Sequence, residues 1–587
     1  MSTPRILRPT PGPSFGTGVR RRRPSGRIGG VVEATASSGA VGYPVGAEAL
    51  RRALGPGAQL LDPARGVTLV AEWDACWLGG TRLDSLERWA SLAAAGRLGE
   101  VDGAFVLAWL QEGEVRLARD PIGERTLYYA QVPGGLLFAS TLHALLASGR
   151  VPARLNLAGV GSYLSYAYVP GEETLVEGIR EVLPGEVLCF PLTGGTPRRE
   201  RFWSLPPELE AGAPLSAEQE ESLRLRLRTE LEGAVSRRLP ERGPVGASLS
   251  GGVDSSLVVA LAKRLYPEQL FTYSISFGEE YRNELPWSTM VAEHCGTTHR
   301  VVELSPAVIL RHLDETIALH SDPIGDPLTV PNALLFREAA AEVGVLLNGE
   351  GGDPCFGGPK NLPMLLSELY GGDVPGADDA PNARERSYLR AHQKCFDDFG
   401  EALSPRMREA LASQPLESFL APRFADPRWS TFVGKLMALN LSLKGAHHIL
   451  HKVDEVSFPF GVASRAPLFD RRVVEVAFAI PPRLKLKGSV EKYLLKQAVA
   501  DTLPRAIIDR PKSGMLVPVE GWFQKPLLPE AKARLLEGLS RWDLFDRGWL
   551  ERLLAGKLGG LRPRHGAKIW LLVTLEAWLR TVLGPRA

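Results

Sequence analysis

The sequence predicts an α/β protein of two domains, a largely β N-terminal part followed by an α/β part, and three observations predict it. The 587 residues exceed what one ordinary domain holds. From Ile28 to Phe202, short apolar runs are broken by turn residues. From Glu218 onward, leucine-rich helical spacing alternates with short apolar runs that end in glycine-rich loops.

Residues 1–26, rich in Pro, Gly, Ser and Arg, read as a disordered arm. Residues 27–204 form the first domain. Within it Val101–Leu110, Glu114–Arg119 and Leu136–Ser140 are expected strands, with Gly113 and Pro133-Gly134-Gly135 as turns. Residues 205–216 carry prolines and glycine and read as a linker, and residues 217–587 as the second domain. There Glu218–Leu239, Ser255–Tyr266, Pro331–Val343, Glu491–Leu503 and Lys568–Val582 show helical periodicity.

Composition narrows the function classes. Apolar residues make up 44% and charged residues 23%, a globular balance. Lys and Arg (69) nearly cancel Asp and Glu (67), so no basic field points to nucleic acid or a membrane surface. Five scattered cysteines form no CxxC pair and suggest neither a disulfide framework nor a zinc site. No apolar run reaches the eighteen or so residues of a membrane span, and no apolar signal segment follows Arg20–Arg23. A cytoplasmic location is the expectation.

The strongest local signal is Pro244-Val-Gly-Ala-Ser-Leu-Ser-Gly-Gly-Val-Asp-Ser-Ser256, which runs from an apolar strand through glycines into a helix. In that geometry Ser250, Gly251, Gly252, Ser255 and Ser256 offer backbone N–H groups and hydroxyls to phosphate at a helix N-terminus. No Gly-Lys-Ser/Thr closes the loop, so it is not a Walker A motif. Asp254 beside a polyphosphate is a candidate Mg²⁺ ligand. A second apolar strand, Val345–Asn348, ends in Gly349-Glu350-Gly-Gly-Asp353. In a parallel sheet the two loops converge, which brings Asp353 to Asp254 as a second metal carboxylate and Glu350 to the reacting centre. The lysines of Glu491-Lys492-Tyr-Leu-Leu-Lys496 and of Asp509-Arg-Pro-Lys512-Ser-Gly514 are candidate cations for departing pyrophosphate.

The SGGxDS loop resembles that of the ATP pyrophosphatases, and the motifs in this order resemble the asparagine synthetase family from about residue 100 to 520. Thr272-Tyr-Ser-Ile-Ser-Phe277, Ser321-Asp-Pro-Ile-Gly-Asp-Pro327, Asn348–Asp353, Lys452-Val-Asp-Glu-Val-Ser457 and Ser464-Arg-Ala-Pro-Leu-Phe-Asp470 carry the resemblance in the second domain. Val101–Phe105, Leu117–Gly123, Leu127–Tyr129 and Phe138–Ser140 carry it in the first. The resemblance implies an αββα N-terminal-nucleophile hydrolase fold joined to an ATP pyrophosphatase domain with a parallel sheet. It further implies use of ATP and Mg²⁺, with Ser276 and Gly349 added to the ATP site and catalytic roles for Glu350 and Lys492. Chemistry of this kind adenylates a carboxylate, releases pyrophosphate, and passes the acyl group to an amine.

Three departures from the family stand out. Glutamine-hydrolysing members open on a nucleophilic cysteine; here Gly26-Arg-Ile-Gly-Gly-Val-Val32 places Arg27 or Ile28 at that position, and Ser2 and Ser25 are the candidate serine substitutes. The glutamine-holding Asn-Gly-Glu is reduced to Glu72 within Leu69–Asp74. Without a thiolate, nucleophilic amide hydrolysis has no agent. Pro354 stands where the family has Glu, followed by Cys355, read as a buried filler, and by Lys360 beside the loop. In Lys444–His451, His447 and His451 have the spacing of metal ligands on a helix, though no Glu completes HExxH; a helix near the substrate pocket is the other reading. Lasso-peptide cyclases and β-lactam synthetases are the branches that this chain resembles in lacking the cysteine, and Glu350, where β-lactam synthetases have Tyr, disfavours the latter. The expectation is an amide-forming ligase with a lapsed glutaminase, whose amine is carried by a small-molecule or peptide substrate, as in lasso-peptide cyclases. Asparagine synthesis from aspartate is the alternative, and a pseudoenzyme among biosynthetic partner proteins is an alternative of another class. Lys360–Phe424 is expected to shape the substrate pocket.

Overall fold

The computed structural model describes residues 5–8, 27–33, 59–60, 68–208, 215–281, 283–357, 382–488, 490–510, 515–559 and 564–584. Ser2, Ser25, Lys360, Lys512 and residues 360–381 of the stretch expected to shape the substrate pocket lie outside them.

The strand Val101–Gln111 shows why the first domain forms as it does. Its side chains alternate between two apolar environments, so it reads as a nearly continuous apolar run. Val106 and Ala108 face Ile28, Tyr129 and Phe138 of a second sheet. Phe105, Leu107 and Trp109 face Trp89 and Leu92 of the helix Leu86–Ala94. One sheet has six strands in the order Arg198–Arg201, Glu186–Pro191, Glu114–Arg119, Val101–Gln111, Leu69–Leu78, Thr81–Arg82. The other has five, in the order Arg180–Glu181, Tyr128–Val132, Gly135–Ala139, Ile28–Glu33, Gln59–Leu60. Leu142–Ala147 and Leu157–Tyr166 cover its outer face through Leu142, Leu145, Val160 and Leu164. The layers are helix, sheet, sheet, helix, as the αββα expectation requires.

The second domain holds a six-stranded parallel sheet in the order Arg5–Leu7, Thr298–Glu303, Leu270–Ser276, Val245–Ser248, Val345–Leu347, Ala463–Arg465. Chain order runs outward from Val245–Ser248 to one side, then restarts on its other side at Val345–Leu347. That reversal is a topological switch point, where loops leaving the carboxyl ends of adjacent strands part and open a crevice. The Ser250–Ser256 and Gly349–Asp353 loops leave those two strands, which pair at Gly246–Leu346 and Ala247–Leu347.

Two sequence readings need correction. Arg5–Leu7 is an edge strand against Arg300–Val302, not part of a disordered arm. Extended backbone there pairs with one neighbour through its N–H and C=O groups, for which polar composition is no obstacle. The expected helix Glu491–Leu503 is only Tyr493–Ala498: Lys492 before it has φ +55°, and Val499 after it leaves helical geometry with φ −123°. Asn440–Ile449 is a π-helix that runs into the α-helix Leu450–Ser457. Among the described residues no helix is long and apolar enough to cross a membrane.

Candidate active site

The first loop leaves its helix N-terminus open. Gly252 caps the helix Val253–Leu265 without a side chain, so no N-cap side chain occupies the helix N-terminus. Ser250 and Ser255 meet through their hydroxyls at 3.0 Å, and Ser255 Oγ also accepts the Ser250 N–H at 3.2 Å. Arg510 braces the turn from the cavity wall. Its guanidinium donates to the Gly251 carbonyl at 3.0 Å and to Glu284 at 2.6 Å, above the Trp287 ring.

The second loop packs against the first so closely that only glycine fits. A Cβ on Gly349 would stand 2.5 Å from the Ser255 nitrogen, and one on Gly352 would stand 2.2 Å from the Asp254 carboxyl carbon. Asn348 shapes the approach, its side-chain oxygen accepting the Glu350 N–H at 3.0 Å. Asp353 lies in the first turn of Gly352–Phe356.

Lys492 joins the two loops. Its buried ammonium donates to Asp254 Oδ2 and lies 2.7 Å from Asp353 Oδ1. Burial works against the charge, but the two carboxylates outweigh it and hold the lysine above its ordinary range. The left-handed backbone at Lys492 is uncommon for a residue with a side chain and turns the ammonium toward the loops.

These groups floor a cavity of about 380 Å³ that continues past Glu350 to a second set of charges. There Lys452 donates to Asp326 at 2.6 Å, and His448 lies 3.5 Å from the same carboxylate. The His448 ring stacks on Tyr168 of the first domain, centroids 5.2 Å apart and planes 10° apart. Burial pushes His448 down to about 3, so it is a neutral ring. Lys452 stays charged, because Asp326 and Glu350 outweigh its burial.

Of the expected site residues, Ser250, Gly252, Asp254, Ser255, Gly349, Glu350, Asp353 and Lys492 line this cavity. Gly251 supports the turn through its carbonyl, Ser256 is buried beneath the helix start, and Ser276 Oγ accepts the Gly278 N–H at 3.3 Å. Asp326, Lys452 and Arg510 sat inside quoted motifs without a role; only the fold puts them here. Tyr168 and His448 carried no signal for their stacking. His447 and His451 each bond a different carboxylate: His447 meets Glu181 at 2.7 Å, and His451 meets Glu455 at 2.9 Å. Cys355 is buried against the Leu468 carbonyl, and burial pushes its thiol up to about 12.

A family profile described as asparagine synthase matches residues 226–580, the larger part of the chain, and one described as a glutamine amidotransferase domain matches residues 87–203. The chain belongs to the asparagine synthetase family. It is 26% identical to a putative glutamine-hydrolyzing asparagine synthetase of Mycobacterium bovis, over 81% of this chain and 76% of that one. It is also 26% identical to glutamine-hydrolyzing asparagine synthetase 1 of Bacillus subtilis, over 78% and 74%. Among solved structures, the NH3-dependent NAD synthetase of Campylobacter jejuni aligns at TM-score 0.18 and 13% identity, over 34% of this chain and 96% of that one, too slight a likeness to argue from. Membership makes the protein an ATP-dependent amidating ligase.

The start of the first domain is buried. Ile28 is buried in the core between the sheets, and Arg27 is buried in an ionic cluster. Arg27 lies 2.9 Å from Asp454 and 3.5 Å from Glu72, with the Phe458 ring beneath it. Glu72 Oε2 also accepts from Ser140 Oγ at 2.8 Å. Arg125 adds a second contact to Asp454 at 2.9 Å, and Arg465 makes a double hydrogen bond to Asp74.

Proposed function

We propose that this ligase adenylates a substrate carboxylate and transfers the acyl group to an amine carried by the substrate itself, in the manner of lasso-peptide and other macrolactam cyclases. The observation that carries the catalytic part is Lys492 held between Asp254 and Asp353 at the mouth of an uncapped helix N-terminus. Two converging carboxylates fit Mg²⁺, which is commonly bound by one or two carboxylates together with substrate phosphates. When bound, Mg²⁺ would supply charge neutralisation to the polyphosphate; Asp254 and Asp353 would hold it.

In the first half-reaction a carboxylate oxygen bonds to the α-phosphorus of ATP, and the bond between the α-phosphorus and its bridging oxygen breaks. Pyrophosphate leaves, its charge stabilised by the Ser250–Ser256 N–H groups and by Lys492. In the second, the amine nitrogen attacks the acyl carbon, AMP departs, and Glu350 takes the amine proton. Asp326, Lys452 and His448 border the acyl end and orient the acceptor. The internal amine is supported by Arg27 and Ile28, neither of which offers a nucleophile where glutamine would be hydrolysed.

The test supplies ATP, Mg²⁺ and aspartate with either glutamine or ammonium, and follows AMP, pyrophosphate, asparagine and glutamate. The reading expects ATP binding, with no glutamate and no asparagine. Glutamate from glutamine would overturn the lapsed glutaminase; asparagine from ammonium alone would make the protein an ammonia-dependent asparagine synthetase.

A further inference from the structure

A second cavity, of about 390 Å³, lies between the two domains on the far side of the π-helix Asn440–Ile449. Asn440, Lys444 and His448 of that helix line the catalytic cavity, whereas Leu441, Leu443 and His447 line the second. One helix therefore forms the wall between them.

The charges around this cavity do not balance. Arg201, Arg423, Arg428 and Lys435 line it, with Asp426 as the sole acidic lining residue. Asp426 is engaged by Arg428 at 2.8 Å, and Arg201 by Glu186 at 2.5 Å. Arg423 and Lys435 form ion pairs with no carboxylate among the described residues; they donate instead to the carbonyls of Phe419 and Phe424. Arg423 also lies over the Phe419 ring, 3.8 Å from its centroid. Its burial works against its own charge, which an anion in the cavity would relieve.

The remaining wall is apolar. Trp203 and Trp429 donate their indole N–H groups to Glu475 and to the Pro206 carbonyl, at 3.1 and 3.3 Å, so the rings need no further polar partner. Pro422, Leu439 and Leu443 complete it. A concave, mostly apolar pocket with a few placed charges is the usual form of a small-ligand site.

We propose that this cavity is a second binding site, for a small carboxylate with an aromatic or branched aliphatic body held by Arg423 and Lys435. The inference does not depend on which acyl group or amine the catalytic cavity takes.

Calorimetric titration with 3-phenylpropionate tests it, with 3-phenylpropionamide as the uncharged control. Saturable binding of the carboxylate is expected, weakened about tenfold or more in Arg423→Gln and partly recovered in Arg423→Lys, since a charge-assisted hydrogen bond contributes about that factor. ATP binding unchanged in both variants shows that they are folded. No saturable binding, or equal binding of the carboxylate to wild type and Arg423→Gln, overturns the proposal.

Discussion

The Arg27 guanidinium of the first domain lies 2.9 Å from the Asp454 carboxylate of the second, and both side chains are almost wholly buried. Arg125 takes the other Asp454 oxygen at the same distance. Asp454 shares the helix Leu450–Ser457 with Lys452, which lines the catalytic cavity. The first domain therefore anchors the helix that carries an active-site lysine. Such a domain has a structural use in the ligase even where it hydrolyses nothing.

Removing one partner of this pair should be costly. Arg27→Met takes one of two guanidiniums from Asp454 and weakens the hold on Glu72, and a buried charge that loses its partner typically costs about 3–5 kcal/mol. The double variant Arg27→Met/Asp454→Leu should lose less than the sum of its singles, because no half of the pair is stranded. Denaturant unfolding of the four proteins measures this; strict additivity would show that the pair does not act as a unit.

Lys492 offers a cleaner separation of charge from backbone. Asn tolerates the left-handed φ of +55° better than most residues, so Lys492→Asn keeps the turn while it removes the ammonium. ATP-dependent pyrophosphate release should fall about 10²–10³-fold, the usual effect of deleting a group that stabilises transition-state charge. Retention of near wild-type release would remove Lys492 from the chemistry.

The sequence made the catalytic loops legible because their geometry is local. Ser250–Ser256 and Gly349–Asp353 each follow a short apolar strand, and parallel pairing of Val245–Ser248 with Val345–Leu347 does the rest. Family motifs located Lys492 as well, but its left-handed backbone was invisible, and the helix was therefore extended over Glu491–Leu503. The acceptor end of the cavity was less legible. His448 and Tyr168 lie far apart in the chain and in different domains, and they stack only once both domains are docked. The π-helix was unreadable for a related reason: the spacing of residues along Asn440–Ile449 does not separate an α turn from a π turn. Arg27 shows the opposite limit, since its position was found by resemblance while its buried partners came from the fold.

A buried cluster on the same helix sets a pH dependence. His451 lies 2.9 Å from Glu455 and 3.2 Å from the Tyr128 hydroxyl, and Glu455 also binds His320 and Ser321. Burial lowers the His451 pKa, but Glu455, Glu181 and Asp322 together outweigh it and raise it to about 9. Because the folded pKa is above the ordinary 6.5, the stabilisation is fully present below pH 6.5 and is lost as pH rises through 9. The size is on the order of 3 kcal/mol. Other buried groups titrate in the same range: Asp322 is raised to about 7 and Lys485 lowered to about 7, both mainly by burial. The useful quantity is therefore the unfolding free energy of wild type minus that of His451→Gln. That difference should shrink steadily from pH 6 to pH 9.5, and a difference independent of pH would mean that His451 is neutral in the folded protein.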